Sequence, residues 1–457
     1  MIDQHRAAHS LSTSPKVSLG ESVAWVLFCA VSLHLILLFP YIVVIPGERT
    51  NLFSGLLCAL CLLTALIFGR KESHWIRSAP AIISLVLLVL IVLNSLFSAA
   101  PEVSSPRGFV IAAAGLGGFW CSRILLNSAS RQKVFQWICL VGLVGMIVLV
   151  FAAVISEKPF YSLADSHWHP VVSRAILLSF APIALLGTGS PVMIGLGLAL
   201  LVLSYLVCLM GARIGLESAV GIPWAMCFSA AVLREWQRKH LAVILAGMLM
   251  IATIAGGHIF YHSYKVQKQH ISVAYRIESI YFSWEIAKMH PYLGLGLWAP
   301  RDELVEKYQT RYHHVPKEQF VQWTKELRTS ENTLLTLMAD AGFPFMILYS
   351  VGVAALYFML LRMVIRPPVD FLFHPLVLFL PLTGMILHLQ VVDGLFHPQV
   401  SWFFHVLLGL IPTSAPLSDG PAVKVRGIVW RILAFLGVLI FGIFLGYLLP
   451  TSVSRLL

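Results

Sequence analysis

Long apolar runs separated by short polar breaks set the pattern of this chain from about residue 22 onward. Many of the runs approach the roughly 20 residues that carry a helix across a bilayer. They do not alternate between apolar and polar positions, as the roughly ten-residue strands of a membrane β-barrel do. The pattern predicts spans at about Ser22–Val44, Leu52–Phe68, Ala81–Leu96, Gly108–Leu125, Gln136–Ile155, Val172–Leu186, Val192–Met210, Ser218–Val232 and Leu241–Ala255. A second block follows at about Asn332–Leu361, Phe371–Leu387, Trp402–Ile411 and Val429–Leu449. The expected fold is an all-α polytopic integral membrane protein with 12 or 13 transmembrane helices, the count resting on the short segments Ser218–Val232 and Trp402–Ile411. The Gly- and Ala-rich run at Gly108–Leu125 permits close helix contact. The run from Asn332 is longer than one crossing needs, so its first turns are expected to project beyond the bilayer.

One stretch breaks the pattern. Gly257–Ser330 carries ten Lys or Arg, seven Asp or Glu and six of the 17 His. The chain therefore divides into a tail at 1–21, a first transmembrane block at 22–256, a large polar loop at 257–331, a second block at 332–449 and a tail at 450–457. Within the loop, Val273, Ile277, Ile280, Trp284 and Ala287 recur at three and four. That spacing predicts an amphipathic helix over Ser272–Met289. Pro291 ends it, because the residue before a proline is pushed out of the helical region. Gly294 and Gly296 then predict a flexible turn; without a strand before it or a helix after it, this is no dinucleotide fingerprint.

Composition sharpens this picture. With 58% hydrophobic and 12% charged residues, the chain has more apolar surface than a water-soluble fold can bury; mean hydropathy is +0.84. The net charge of +11 would suggest nucleic acid in a soluble domain. Here the basic residues gather in alternate short loops instead: Arg70, Lys71 and Arg77; Arg131 and Lys133; Arg234, Arg238 and Lys239; Arg362 and Arg366. The positive-inside rule puts those loops and the N-terminus in the cytoplasm and the large loop on the far side, with lipid rather than nucleic acid as the partner. The polar N-terminus shows no cleavage signal, so the first span is expected to be retained. The seven cysteines lie in or beside apolar runs; Cys58 and Cys61 form a CxxC inside a span, with no partner pair, and are read as packing.

Five residues are candidates for chemistry. Arg213 leaves a long apolar run and enters the Gly-rich turn GARIGLES, where it either snorkels to headgroups or serves a polar cavity. Arg276 shares a helix face with Ser272, Ser279 and Ser283. Glu331 opens a span, a position the helix dipole favours for an acid even without function. His313 and His314 are adjacent, and no third ligand is spaced for zinc. No metal and no cofactor are expected.

These features resemble the O-antigen ligase and O-antigen polymerase superfamily of bacterial envelope enzymes. The family's large loop opens with an Arg and a Trp on a helix, followed by Pro-x-x-Gly-x-Gly. YRIESIYFSWEIAKMHPYLGLGLW is similar, with Arg276, Trp284, Pro291, Gly294 and Gly296. The loop closes with His-Asn, an apolar helix start and a Gly; SENTLLTLMADAGF is similar, with Asn332 and Gly342. Glu331 stands where ligases carry the histidine taken as the base. The resemblance implies an inner-membrane protein with its loop in the periplasm. It implies inverting transfer from an undecaprenyl-pyrophosphate-linked glycan to another glycan (polymerase) or to lipid A-core (ligase), with a chain-length regulator as a further partner of the polymerase. Arg213 and Arg276 would bind the pyrophosphate. Glu331 would be the base, or His313 or His314 in its place, while Trp284, Pro291, Gly294, Gly296, Asn332 and Gly342 would be structural. The departure at Glu331 tilts the reading toward a polymerase. A flippase or transporter is the rival class, but ionisable residues collect at span ends and no repeat is visible, unlike secondary transporters. A non-catalytic assembly protein is a third.

Overall fold

The computed structural model describes residues 18–37, 47–69, 78–155, 171–188, 190–210, 282–299, 332–365, 375–389 and 394–411. Arg213, Arg276, His313, His314 and Glu331 lie outside them, as do the spans expected at 218–232, 241–255 and 429–449. Every regular element among the described residues is helical.

The helices are α1 (Leu19–Leu37), α2 (Gly47–Phe68), α3 (Ala79–Leu96), α4 (Pro101–Leu125) and α5 (Ala129–Ile155). They continue with α6 (Val171–Leu186), α7 (Pro191–Met210), α8 (282–289), α9 (Thr333–Ile365), α10 (Leu376–His388) and α11 (Pro398–Gly409). Six of them, α1 to α5 and α9, are long and apolar enough to cross a membrane, and the protein is multi-pass. Pro80 and Pro101 start α3 and α4, where a missing N–H has no cost.

The helices pack around α4. It lies against α2 on one side and α11 on the other, and 72% of its span is buried, against 17% for α3 and 11% for α9. The difference follows from sequence. Gly117 approaches the Trp402 ring at 3.0 Å from where a Cβ would stand, and a Cβ on Gly118 would overlap the Trp402 carbonyl. Trp402 is fully buried, donates its indole N–H to Ser32 Oγ at 3.1 Å and lies 5.7 Å from the Phe28 ring. By contrast, α3 turns Leu85, Val89 and Val92 outward, where only lipid can cover them. Cys58, Cys61 and Cys121 are buried at the α2–α4 contact, with Cys61 Sγ 3.6 Å from Cys121 Sγ as free thiols.

Consecutive helices alternate direction, so their ends form two layers. One layer gathers Phe68, Leu125 and the start of α5; there Arg131 pairs with Glu21 at 2.8 Å and Arg123 donates to Ile411 O at 3.2 Å. The other gathers the end of α3, the start of α4, residues 290–299 and the start of α9.

Candidate functional site

The second layer is organised by a break in α9. Asn332 caps this helix, its Oδ1 accepting the Leu335 N–H at 3.0 Å. The Thr333 N–H donates to Leu389 O at 2.9 Å and ties the helix start to the end of α10. At Gly342 the backbone leaves helical geometry, with φ 86° and ψ 167°, and Pro344 follows. Such a break frees carbonyls and N–H groups that must find partners away from water.

The glycine turn supplies those partners. Leu295 N–H donates to Ala339 O at 2.9 Å, Gly296 N–H to Asp340 O at 3.0 Å, and Phe343 N–H to Pro291 O at 2.9 Å. The approach is close enough that side chains are shut out. A Cβ on Gly294 would overlap the Asp340 carbonyl, one on Gly342 the Tyr292 carbonyl, and one on Gly296 the Ser98 hydroxyl. All three glycines have positive φ, at 69°, 86° and 118° for Gly294, Gly342 and Gly296. The turn expected to be flexible is instead fixed on both sides by backbone hydrogen bonds.

Asn94, two residues from the end of α3, closes the third side. It is 1% exposed. Its Nδ2 donates to Leu293 O and, at 2.6 Å, to Asp340 O, while its Oδ1 accepts Leu297 N–H at 3.2 Å. One side chain thus satisfies three backbone groups from two segments. Ser98 adds a contact with Ser104 Oγ at 2.6 Å, and Ala99 N–H donates to Leu295 O at 3.0 Å. Asp340, also 1% exposed, accepts Trp298 N–H on Oδ2 at 3.2 Å. Trp298 has φ 64°, an uncommon conformation for a non-glycine residue, which this hydrogen bond helps to hold. The Trp298 ring carries the Arg107 guanidinium 4.6 Å from its centroid and lies 6.0 Å from Phe396.

Gly294, Gly296 and Gly342 meet in one hub that Asn332 opens, so the two stretches singled out in the sequence are brought together. Pro291 takes part through its carbonyl. Trp284 departs from expectation: Phe282, Ser283, Ile286 and Ala287 form the buried face of α8, and Trp284 is 47% exposed, edge-on to Phe343 at 6.1 Å. Ala287 of the expected stripe is buried, while Val273, Ile277 and Ile280 lie outside the described residues. Asn94, Ser98, Asp340 and Arg107 were not anticipated. The signal for Asn94 was present, since an amide inside LVLLVLIVLNSLF has to find a partner. Arg174 was missed as well. It is 1% exposed and donates to Leu35 O at 3.0 Å and Ile36 O at 2.6 Å, satisfying carbonyls that the end of α1 leaves open.

Residues 175–350 match a known protein family, O-antigen ligase. The matched segment is similar to that family and makes up less than half of the chain. No curated protein matches the chain. The matched segment contains the glycine turn and the start of α9, but not Asn94, Ser98, Arg107 or α11. The hub is therefore made by residues of the matched segment closing onto helices outside it. Among the described residues no three His, Cys, Asp or Glu side chains are grouped to hold a metal ion.

Proposed function

We propose that the protein is a membrane glycosyltransferase of the bacterial inner membrane that polymerises undecaprenyl-pyrophosphate-linked repeat units of an O-antigen or exopolysaccharide. The observation that carries this reading is the docking of the glycine turn onto the broken start of α9 within a segment that matches the O-antigen ligase family. An acceptor sugar hydroxyl attacks the anomeric carbon of the donor with inversion. The new glycosidic C–O bond forms as the bond from the anomeric carbon to the pyrophosphate breaks. Glu331, the residue before Asn332 in the chain, takes the hydroxyl proton; His313 or His314 is the alternative base. Arg213 and Arg276 neutralise the departing lipid pyrophosphate through bidentate contacts. Arg123, Arg131 and Lys133 stand at the layer away from the hub, which favours a cytoplasmic assignment for that layer and a periplasmic one for the hub.

The match to the O-antigen ligase family favours a second reading, transfer of the finished glycan to lipid A-core. One experiment separates them. A deletion strain is complemented with wild type, Arg276→Ala or Glu331→Ala, and its polysaccharide is analysed by size and lipid anchor. Accumulation of single repeat units with loss of long polymer supports the polymerase. Full-length polymer retained on undecaprenyl pyrophosphate indicates the ligase. A wild-type profile in both variants at normal protein level removes the catalytic assignment and favours a transporter.

A further inference from the structure

The lipid-facing stripes of α3 and α9 both end at the glycine turn. On α3, Leu85, Val89, Val92 and Leu96 recur at four, three and four, and all are exposed. This 18-residue helix measures about 27 Å, close to the roughly 30 Å of a bilayer's hydrocarbon, so Leu96 stands near one edge of it. On α9, Ile347 and Val351 are exposed at the same spacing, and Phe343 heads their stripe where the helix resumes after its break. The turn is bonded to both ends. Leu295 O accepts the N–H of Ala99, three residues past Leu96, and Pro291 O accepts the Phe343 N–H.

Exposed apolar side chains continue at that level beyond the two stripes. The Trp284 ring lies edge-on to Phe343. Tyr292, in the turn, is 76% exposed, and Met289, at the end of α8, is exposed as well. Phe97, which follows α3, is 70% exposed. The inner face of α8 is already filled by Phe282, Ile286 and Ala287. Its outer face carries Lys288, whose ammonium pairs with Glu285 on the same helix, so the charge there is balanced locally. Indole and phenol rings settle where one end is apolar and the other wet, as at a membrane–water boundary.

We infer that the outer face of α8 and the turn that follows it rest in the headgroup–acyl boundary of the leaflet on the hub's side, with Trp284, Met289, Tyr292 and Phe97 inserted among the phospholipids. Depth decides the partner. An aromatic platform for sugar rings has to stand clear of the headgroups, whereas these side chains carry on two stripes that only lipid can cover. Met289 and Phe97 have no polar handle, which suits acyl chains. The locally balanced charge on α8 makes the contact one with phospholipid in general and not with anionic lipid in particular. The leaflet then fixes the height of the glycine turn, and through Pro291 the height at which α9 resumes. The inference needs only the multi-pass architecture and stands apart from the glycan-transfer reading.

The test uses the full-length protein in phosphatidylcholine nanodiscs. Tryptophan emission of wild type minus that of Trp284→Phe gives the Trp284 signal. It is measured in plain discs, in discs whose lipid is brominated high on the acyl chain, and in discs brominated near the chain end. The signal is expected to fall about twofold with the high bromine and less with the deep one, and to resist aqueous acrylamide. A second readout needs no subtraction. With p-benzoylphenylalanine in place of Tyr292, irradiation is expected to give a phosphatidylcholine adduct by mass spectrometry. Quenching by acrylamide but by neither bromolipid would place the ring in water, and shielding from all three quenchers would place protein over it. Protection from acrylamide by a soluble oligosaccharide would mark a sugar surface. Any of these, stronger quenching by the deep bromine, or the absence of a lipid adduct would overturn the inference.

Discussion

Glycine brings chain segments together in two regions of this protein, and for different reasons. At the α4–α11 contact, Gly117 and Gly118 lie in regular helix, the first making room for the Trp402 ring and the second for the Trp402 backbone. Trp402 sends its hydrogen bond out of that contact, to Ser32 of α1. At the hub, Gly294, Gly296 and Gly342 have positive-φ backbones; Gly294 and Gly342 admit another backbone, and Gly296 admits the Ser98 hydroxyl. At Gly117 there is room for relaxation, since a ring can slide along a helix face, whereas Gly118 faces a backbone carbonyl. The hub has little room to relax, since each hydrogen bond fixes both a distance and an angle. A helical packing glycine adds stability, whereas a hub glycine holds the register between the turn and the start of α9.

The largest expected effect is therefore at Gly342. Gly342→Ala sets a Cβ against the Tyr292 carbonyl at an unfavourable φ, and it should cost about 3 kcal/mol and eliminate long polymer. A thermal midpoint in detergent together with polysaccharide sizing reads both effects. Asn94 comes next. Asn94→Leu leaves two carbonyls and one N–H without their partner, a cost of about 2–4 kcal/mol. Asn94→Asp should be no better, because an ionised carboxylate cannot donate to Leu293 O and Asp340 O. If Asp rescues activity to the wild-type level, the hydrogen-bond assignment is wrong. Trp402→Phe sharpens the contrast from the bundle side. It removes one hydrogen bond and some ring volume, for about 1–2 kcal/mol, and should lower the thermal midpoint without changing the product size distribution. The smallest effect belongs to Lys288→Ala, whose pairing with Glu285 is solvent-accessible; the change should stay under about 0.5 kcal/mol with wild-type product.

The bundle was far more legible in the sequence than the hub. Apolar runs are local signals, and α3 at Ala79–Leu96 starts within two residues of the expected 81 and ends where expected. The Gly- and Ala-rich run named α4 as a close-packing helix for the right physical reason. The hub depends on partners far apart in the chain: Asn94 bonds to residues about 200 and 246 positions away, and no periodicity reports that. Gly342 was visible as a motif residue, but the break it makes in α9 was not, because an apolar run reads the same whether its helix is continuous or interrupted. Trp284 was assigned to the stripe by spacing alone, and spacing does not report that its ring stays half exposed beside Phe343 while Ala287 is buried.

The interruption at Gly342 also bears on how the protein meets membranes of different thickness. The part of α9 after it, about 23 residues from Phe343 to Ile365, measures about 35 Å and crosses the hydrocarbon unaided. A thinner bilayer asks such a segment to tilt. With the joint at Gly342, that tilt need not be transmitted to Thr333–Ala341, which the glycine turn and Asn94 hold from the side. The lipid sets the inclination of the long segment, while the short one keeps its alignment with the turn.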